Sequence, residues 1–206
     1  MPLLQFILVN FKHWVKECDT YLFLKINKSF TNSVLDFVYP WYRDSMTWVP
    51  LYVFIFVFML VNFGKKTWNW LLFALLTITL SDQISSTFVK HYFARPRPCR
   101  DAFLQFQVRL LLDGCSGGYS FTSSHATNHF AIAMFFSQTL KPFIGKWYQL
   151  FFVWAGSIAY GQVYVGVHYP LDIFCGAILG CCIGYVVAFV FNKKLVLQPL
   201  LTTVTH

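Results

Sequence analysis

Leu171-Asp172-Ile173-Phe174-Cys175-Gly176-Ala177-Ile178-Leu179-Gly180-Cys181-Cys182-Ile183-Gly184-Tyr185-Val186-Val187-Ala188-Phe189-Val190-Phe191 decides the fold class. The run matches the roughly 20 residues a helix needs to cross a bilayer core, and its one charge stands in the first turn. Pro170, immediately before it, suits the first helical position. Gly176, Gly180 and Gly184 recur at four-residue spacing. Such a small-xxx-small stripe lets another helix approach closely and reads as a packing seam.

Working outward, four further apolar blocks lie at 47–63, 68–88, 124–140 and 147–166. The first is short and leans on interfacial Trp48 and Asn62. Over the whole chain 57% of residues are hydrophobic and 12% charged, against roughly 25% charged in ordinary soluble proteins. The expected fold is therefore all-α, a polytopic membrane helix bundle whose five transmembrane helices occupy 47–192. Residues 1–46 differ. Lys12, Lys16, Glu17, Asp19, Lys25, Lys28 and Asp36 interrupt their apolar positions, which predicts helices lying in the membrane interface. A sixth span over 22–39 stays open, at the cost of burying charge.

Topology follows from the connectors. With alternating spans, Lys65, Lys66, Lys141, Lys146, Lys193 and Lys194 share one side of the membrane. Seven of the eight acidic residues fall on the other, the exception being Asp82 within the second span. The positive-inside rule places the lysine side, with a tail at 193–206, in the cytoplasm. In a bacterial cytoplasmic (inner) membrane the opposite connectors then face the periplasm or exterior. The net charge of +8 reads as topology plus an anion site. The basic residues form no continuous helix that would suit nucleic acid.

Three clusters on that outer side carry chemistry: Lys90-His91-Tyr92-Phe93-Ala94-Arg95-Pro96-Arg97-Pro98, Phe121-Thr122-Ser123-Ser124-His125-Ala126 and Val165-Gly166-Val167-His168-Tyr169-Pro170-Leu171-Asp172. Lys90 and Arg97 can match the charge that a transferring phosphoryl group spreads over its oxygens; read blandly, they contact anionic headgroups. Ser123 and Ser124 open a helix, where serines usually cap, yet the same helix start offers N–H groups to an anion. His125 can donate a proton to a leaving oxygen. Asp172 either caps its helix or orients His168 as a nucleophile toward phosphorus.

The ordered set resembles the three signature motifs of the type 2 phosphatidic acid phosphatase superfamily, over roughly residues 48–190. Lysine, six residues, then Arg-Pro is met by Lys90, Arg97 and Pro98. Pro-Ser-Gly-His corresponds to Thr122-Ser123-Ser124-His125, and the closing His-xxx-Asp to His168 and Asp172. The resemblance implies a metal-independent lipid phosphatase without cofactors. In it, His168 forms a phosphohistidine, His125 protonates the leaving oxygen and then activates water, and Lys90, Arg97, Ser123, Ser124 and Gln162 hold the phosphate. The substrate is expected to be a phospholipid or polyprenyl (di)phosphate, undecaprenyl diphosphate first, because that carrier is recycled on the outer face. One departure stands out. The third motif usually begins Ser-Arg, and here the pair is Gly161-Gln162. Gln162 keeps hydrogen-bond donors but brings no charge, so Gln162→Arg is expected to raise activity, with Arg95 or Arg100 compensating in its absence.

Other readings stay open. Cys99 and Cys115 flank the outer loop, where a disulfide would persist, or they are two free thiols. Asp82, costly inside a span, either supports the site or makes a polar contact with a facing helix. His129, one turn after His125, lines the same cleft. Two functions from other classes compete with the phosphatase. One is a zinc hydrolase built on His125, His129, His168 and Asp172; the other is a non-catalytic lipid-binding or transport relative marked by Gln162.

Overall fold

In the computed structural model, which describes residues 3–200, every regular element is helical. The order is α1 (Leu3–Leu24), α2 (Ser33–Tyr42), α3 (Val49–Phe63), α4 (Lys66–Gln83), α5 (Lys90–Phe93), α6 (Ser124–Ile144), α7 (Gln149–Tyr164) and α8 (Pro170–Lys194). A π-turn at Ile84–Val89 joins α4 to α5, so that one helix runs over Lys66–Phe93. Among the described residues, three helices are by themselves long and apolar enough to cross a membrane: Ser45–Phe63, Lys66–Phe93 and Pro170–Lys194. The other two expected positions are taken by α6 and α7. Of these, α6 is the interior of the bundle and α7 buries one face against it, and their buried faces carry His129, Thr139 and Gln162. A helix enclosed by protein can hold such polar groups, whereas a lipid-facing one cannot.

Met59, Trp70, Phe135, Leu140, Ile158 and Phe191 are fully buried where α3, α4, α6, α7 and α8 meet. The Trp70 indole donates to Thr139 Oγ1 at 2.9 Å, which satisfies its N–H inside this apolar cluster. Outward-facing Phe54, Val57, Leu72, Leu75, Phe174 and Phe189 are exposed. In water they would form a large sticky patch; against lipid they are the ordinary outer surface of a span.

The glycine stripe is a seam against α6. A β-carbon added at Gly176 would stand 2.9 Å from the Ser123 carbonyl oxygen. At Gly180 and Gly184 it would press into the Thr127 and Ala131 carbonyl oxygens. Backbone therefore meets backbone along this contact, and the starts of α6 and α8 are held in fixed register.

A continuous sixth span over 22–39 does not form. Helix gives way after Ser29 and restarts at Ser33, with Asn32 Oδ1 accepting the Leu35 N–H at 2.9 Å. The break has a cause in Asn27, which is buried. Its amide donates to the Arg109 and Tyr164 carbonyls at 2.8 Å each and its oxygen accepts the Arg109 N–H at 2.8 Å. The 10 residues of α2 span only about 15 Å, half the hydrocarbon core. Most side chains of α1 are exposed, while its Asp19 and Phe23 are buried. Of the expected tail at 193–206, Lys193 and Lys194 complete α8, and residues 201–206 lie outside the described residues. Lys66 Nζ holds the chain beyond α8 by donating to the Val196 carbonyl at 3.2 Å.

Candidate active site

Each chemical cluster sits where a helix begins or ends. The Lys66–Phe93 helix delivers Lys90 in its last turn, and Ala94, with φ of 45°, turns the chain out of helix. Pro96 and Pro98 then hold the segment extended and carry Arg97 inward. Ser123 is the N-cap of α6, its Oγ accepting the Ala126 N–H at 3.4 Å. Pro170 opens α8, and the Asp172 carboxylate accepts the Tyr169 N–H at 2.9 Å. Capping and chemistry thus share the same side chains. A disulfide joins Cys99 to Cys115, with Cα atoms 5.9 Å apart. It draws the loop 114–120 against the first cluster, where the Ser120 N–H donates to the Arg95 carbonyl at 2.8 Å.

At the centre is a hydrogen-bonded line through His168, which is buried. Arg97 Nη1 lies 2.9 Å from His168 Nε2. A guanidinium has only donors, so Nε2 presents its lone pair and the proton sits on Nδ1. Nδ1 faces Ser120 Oγ at 3.3 Å, and that hydroxyl donates a short bond to Asp172 Oδ2. Direct His168–Asp172 approach is 3.6 Å, an ion-pair distance rather than a hydrogen bond. The expected contact therefore runs largely through Ser120, a residue that the sequence reading did not single out. Arg97 itself is clamped: Nε and Nη2 donate to the Gly117 carbonyl at 3.3 and 3.1 Å, and Nη1 also reaches the Val167 carbonyl at 3.2 Å.

Burial pushes the His168 imidazole down to about 4, against the opposing pull of Asp172. The ring is then neutral from pH 5 upward, its Nε2 lone pair accepting from Arg97. NMR of histidine-labelled protein is expected to show His168 unprotonated down to pH 5; a midpoint near 6.5 would mean that the pocket is wetter than this geometry allows. Burial also lowers Arg97, to about 10, and the charges of Arg43 and Arg100 push the same way. Lys90 is half-buried and within electrostatic range of Arg97, Asp82 and Asp172. His125 is likewise within range of His168, Lys90 and Arg43. The fields of Arg43, Lys90 and His168 therefore all reach His125.

Residues 70–195 match the PAP2 superfamily. The chain belongs to the PAP2 superfamily. It is 31% identical over 183 residues to the lipid A 4'-phosphatase of Bacteroides thetaiotaomicron, covering 87% of this chain and 80% of that one. Identity to phosphatidylglycerophosphatase B of Bacillus subtilis is 27% over 173 residues, covering 76% and 78%. The crystal structure of Aquifex aeolicus LpxE superposes with a TM-score of 0.59 at 28% identity, covering 82% of this chain and 93% of that one.

Around the pocket of this PAP2 phosphatase, a polar belt ties α4 to α6. The Ser124 hydroxyl bonds Ser86 at 2.9 Å and Ser85 at 3.2 Å. Asp82 Oδ1 accepts from Asn128 Nδ2 at 3.1 Å and from Ser86 at 3.3 Å, while Asn128 Oδ1 accepts from Ser81 at 2.7 Å. Asp82 is thus a brace between two helices, gripping α6 at Asn128, one turn after His125. His129 Nδ1 donates to the His125 carbonyl at 2.8 Å, and the two rings stack 6.4 Å apart. Among the described residues no three His, Cys, Asp or Glu side chains group as metal ligands. Of the candidate zinc ligands, His168 faces Arg97 and Ser120, Asp172 holds Arg95 and Ser120, and His129 Nδ1 bonds the His125 carbonyl.

Arg95 does not stand in for the missing PAP2 arginine, contrary to the sequence expectation. It bridges Asp172 Oδ1 at 2.8 Å and Asp19 Oδ2 at 2.6 Å and lies 3.8 Å over the Tyr169 ring, so its charge is spent. Asp19 Oδ1 also accepts the Leu171 N–H at 2.8 Å, which ties α1 to the start of α8. Arg100 donates to the Cys115 carbonyl at 3.2 Å, at an exposed position. The arginine that reaches Gln162 is Arg43. A lone arginine just ahead of the first span was the available signal for it; nothing in the sequence marks Ser120 or Asp19.

Ser120→Ala should lower kcat by about 10- to 100-fold with little change in KM, because a buried bond to a charged group contributes about 1.5–3 kcal/mol. Steady-state phosphate release measures this. An unchanged kcat would mean that the direct 3.6 Å His168–Asp172 pair suffices.

Proposed function

We propose that this protein is a lipid phosphatase that cleaves a phosphate monoester or diphosphate of a membrane lipid through a phosphohistidine on His168. The line Arg97–His168–Ser120–Asp172 carries the reading, because it fixes both the tautomer and the aim of the ring. As Arg97 Nη1 turns from Nε2 to a phosphoryl oxygen, the freed Nε2 lone pair of His168 attacks phosphorus in line, and the phosphorus–oxygen bond to the lipid breaks. The leaving oxygen takes a proton from His125. The imidazolium formed on His168 keeps its Nδ1 proton, and Asp172 stabilises it through Ser120. Water, losing its proton to His125, then attacks phosphorus and the nitrogen–phosphorus bond breaks, releasing phosphate. Lys90, Arg97 and the N–H groups at the start of α6 hold the phosphoryl oxygens throughout.

Orientation supports an outer-face site. In the Lys66–Phe93 helix, α6 and α8, one end carries site residues (Lys90, His125, Asp172) and the other a lysine (Lys66, Lys141, Lys193). With the lysine ends and the 193–206 tail in the cytoplasm, the pocket opens toward the periplasm or exterior of a bacterial cytoplasmic membrane.

On substrate, the lipid A 4'-phosphatase relative favours the phosphate monoester of lipid A, ahead of phosphatidylglycerol phosphate. Undecaprenyl diphosphate, the sequence-based expectation, is the third arm. Phosphate release from purified protein on these three lipids, with and without chelator, tests the reading. We expect chelator-insensitive release from at least one of them, abolished by His168→Ala. Release that survives His168→Ala, or none on any lipid, removes it; restoration by zinc after chelation would favour the metal-dependent class instead.

A further inference from the structure

The position where the third motif lacks its charge is not empty of charge. Arg43, the C-cap of α2, donates from Nη1 to Gln162 Oε1 at 2.7 Å. Gln162 is fully buried, and its own carbonyl accepts the Val167 and His168 N–H groups at 3.2 Å each. The arginine is thus moored to the residue that shapes the loop of the nucleophile. Two donors at this junction, Arg43 Nε and Gln162 Nε2, are buried without any partner. Burying such donors unpaired is unfavourable, so their persistence points to an acceptor-rich ligand. The Arg43 charge also acts on both His125 and Arg97, the groups that flank a phosphate bound at His168.

Docking of α2 explains the neighbouring residue as well. Tyr42 bonds Ser157 at 2.8 Å, the Tyr39 ring lies 5.7 Å from Tyr160 and 5.0 Å from Tyr164, and Tyr164 donates to Asp36 at 2.6 Å. Ser157, Tyr160, Gly161 and Tyr164 form one face of α7. A β-carbon at Gly161 would meet the Tyr39 ring at 2.8 Å and Arg43 Cβ at 3.5 Å. Glycine at 161 admits α2, and glutamine at 162 receives its arginine. A guanidinium at 162 would instead confront Arg43 with like charge.

We propose that Arg43 is a phosphate-contacting residue of this site, its guanidinium brought by α2 to Gln162 to supply the charge that α7 lacks. The proposal rests on the phosphatase reading above, so its test includes a binding measurement that needs no turnover. The probe is orthovanadate, titrated against the full chain in detergent, together with kcat/KM on whichever lipid is cleaved.

Arg43→Gln should weaken vanadate binding at least tenfold and cut kcat/KM by roughly a hundredfold, the usual order for one preorganised donor. Arg43→Lys should fall between, since it keeps the charge and loses the fork. Gln162→Arg alone should lose activity, which reverses the expectation drawn from sequence. Arg43→Gln combined with Gln162→Arg should recover to within about tenfold of the native protein. Vanadate affinity unchanged in Arg43→Gln, or a double variant no better than its singles, overturns the proposal. If Arg43→Gln does not fold, Arg43→Lys decides by the same vanadate titration, native affinity counting against. A native protein that binds vanadate through Arg43 but cleaves no lipid would sink the phosphatase reading and leave this one standing.

Discussion

Asp172→Asn is expected to reduce kcat by roughly a thousand- to ten-thousand-fold, the order seen when a histidine base or nucleophile loses the carboxylate that fixes its tautomer. Both oxygens of Asp172 are committed. Oδ1 takes Arg95, Oδ2 takes both Ser120 and the Tyr169 N–H, and the residue is fully buried. An amide of the same shape has one acceptor oxygen and one donor nitrogen. If the nitrogen faces Arg95, two donors confront each other in a low-dielectric interior. If it faces Tyr169, the backbone N–H of the α8 cap is orphaned and Ser120 loses its acceptor. Either way Arg95 retains only Asp19 as a carboxylate partner, and breaking one side of a buried ionic network costs about 3–5 kcal/mol. Phosphate release and thermal unfolding in detergent read the two consequences separately. A variant within tenfold of native turnover would show that His168 is oriented by Arg97 alone.

Gly180→Leu should abolish the folded protein rather than slow it. Inserting methylenes into a packed core usually costs about 1–3 kcal/mol because side chains can shift. Here the obstacle is backbone, the Thr127 carbonyl and the Ala131 nitrogen of α6, and the helices themselves must separate. His125 stands in the first turn of α6 and Asp172 in the first turn of α8. A displacement of about 1 Å between reacting groups can cost a hundredfold even where folding survives. Gly156→Ala in α7 is the matched control. Its added β-carbon meets nothing within 4 Å, and alanine gains helix propensity of about 0.8–1 kcal/mol over glycine. Detergent-solubilised yield and Tm should collapse for the first and hold or rise for the second. Equal behaviour of the two would mean that the seam is looser than backbone contact.

How far the sequence could be read varies element by element. Apolar blocks announce helices because lipid-facing surface must be apolar over about 20 residues, and the glycines announce close approach for the same local reason. The false opening at 22–39 arose because hydropathy cannot see Asn27. Its role is to bond Arg109 and the Tyr164 carbonyl from far along the chain. Arg95 was misplaced for a related reason. Its two carboxylates come from α1 and α8, separated from it by 76 and 77 residues, and a linear reading offers no way to see that its charge is already neutralised.

What the sequence determined by itself is the chemistry available and roughly where it lies: a helical membrane bundle, Lys90 and Arg97 at one helix end, His125 and His168 at the starts of others. Those facts follow from residue type and short-range periodicity. Tertiary structure alone decided how the pieces are wired, with Ser120 between His168 and Asp172, Arg95 closed off by Asp19, and Arg43 delivered to Gln162. The physical reason is that hydrogen bonds and ion pairs act over about 3–4 Å in space, with no regard to separation along the chain. Only the packing of α6 on α8, and of α2 on α7, brings those atoms within reach.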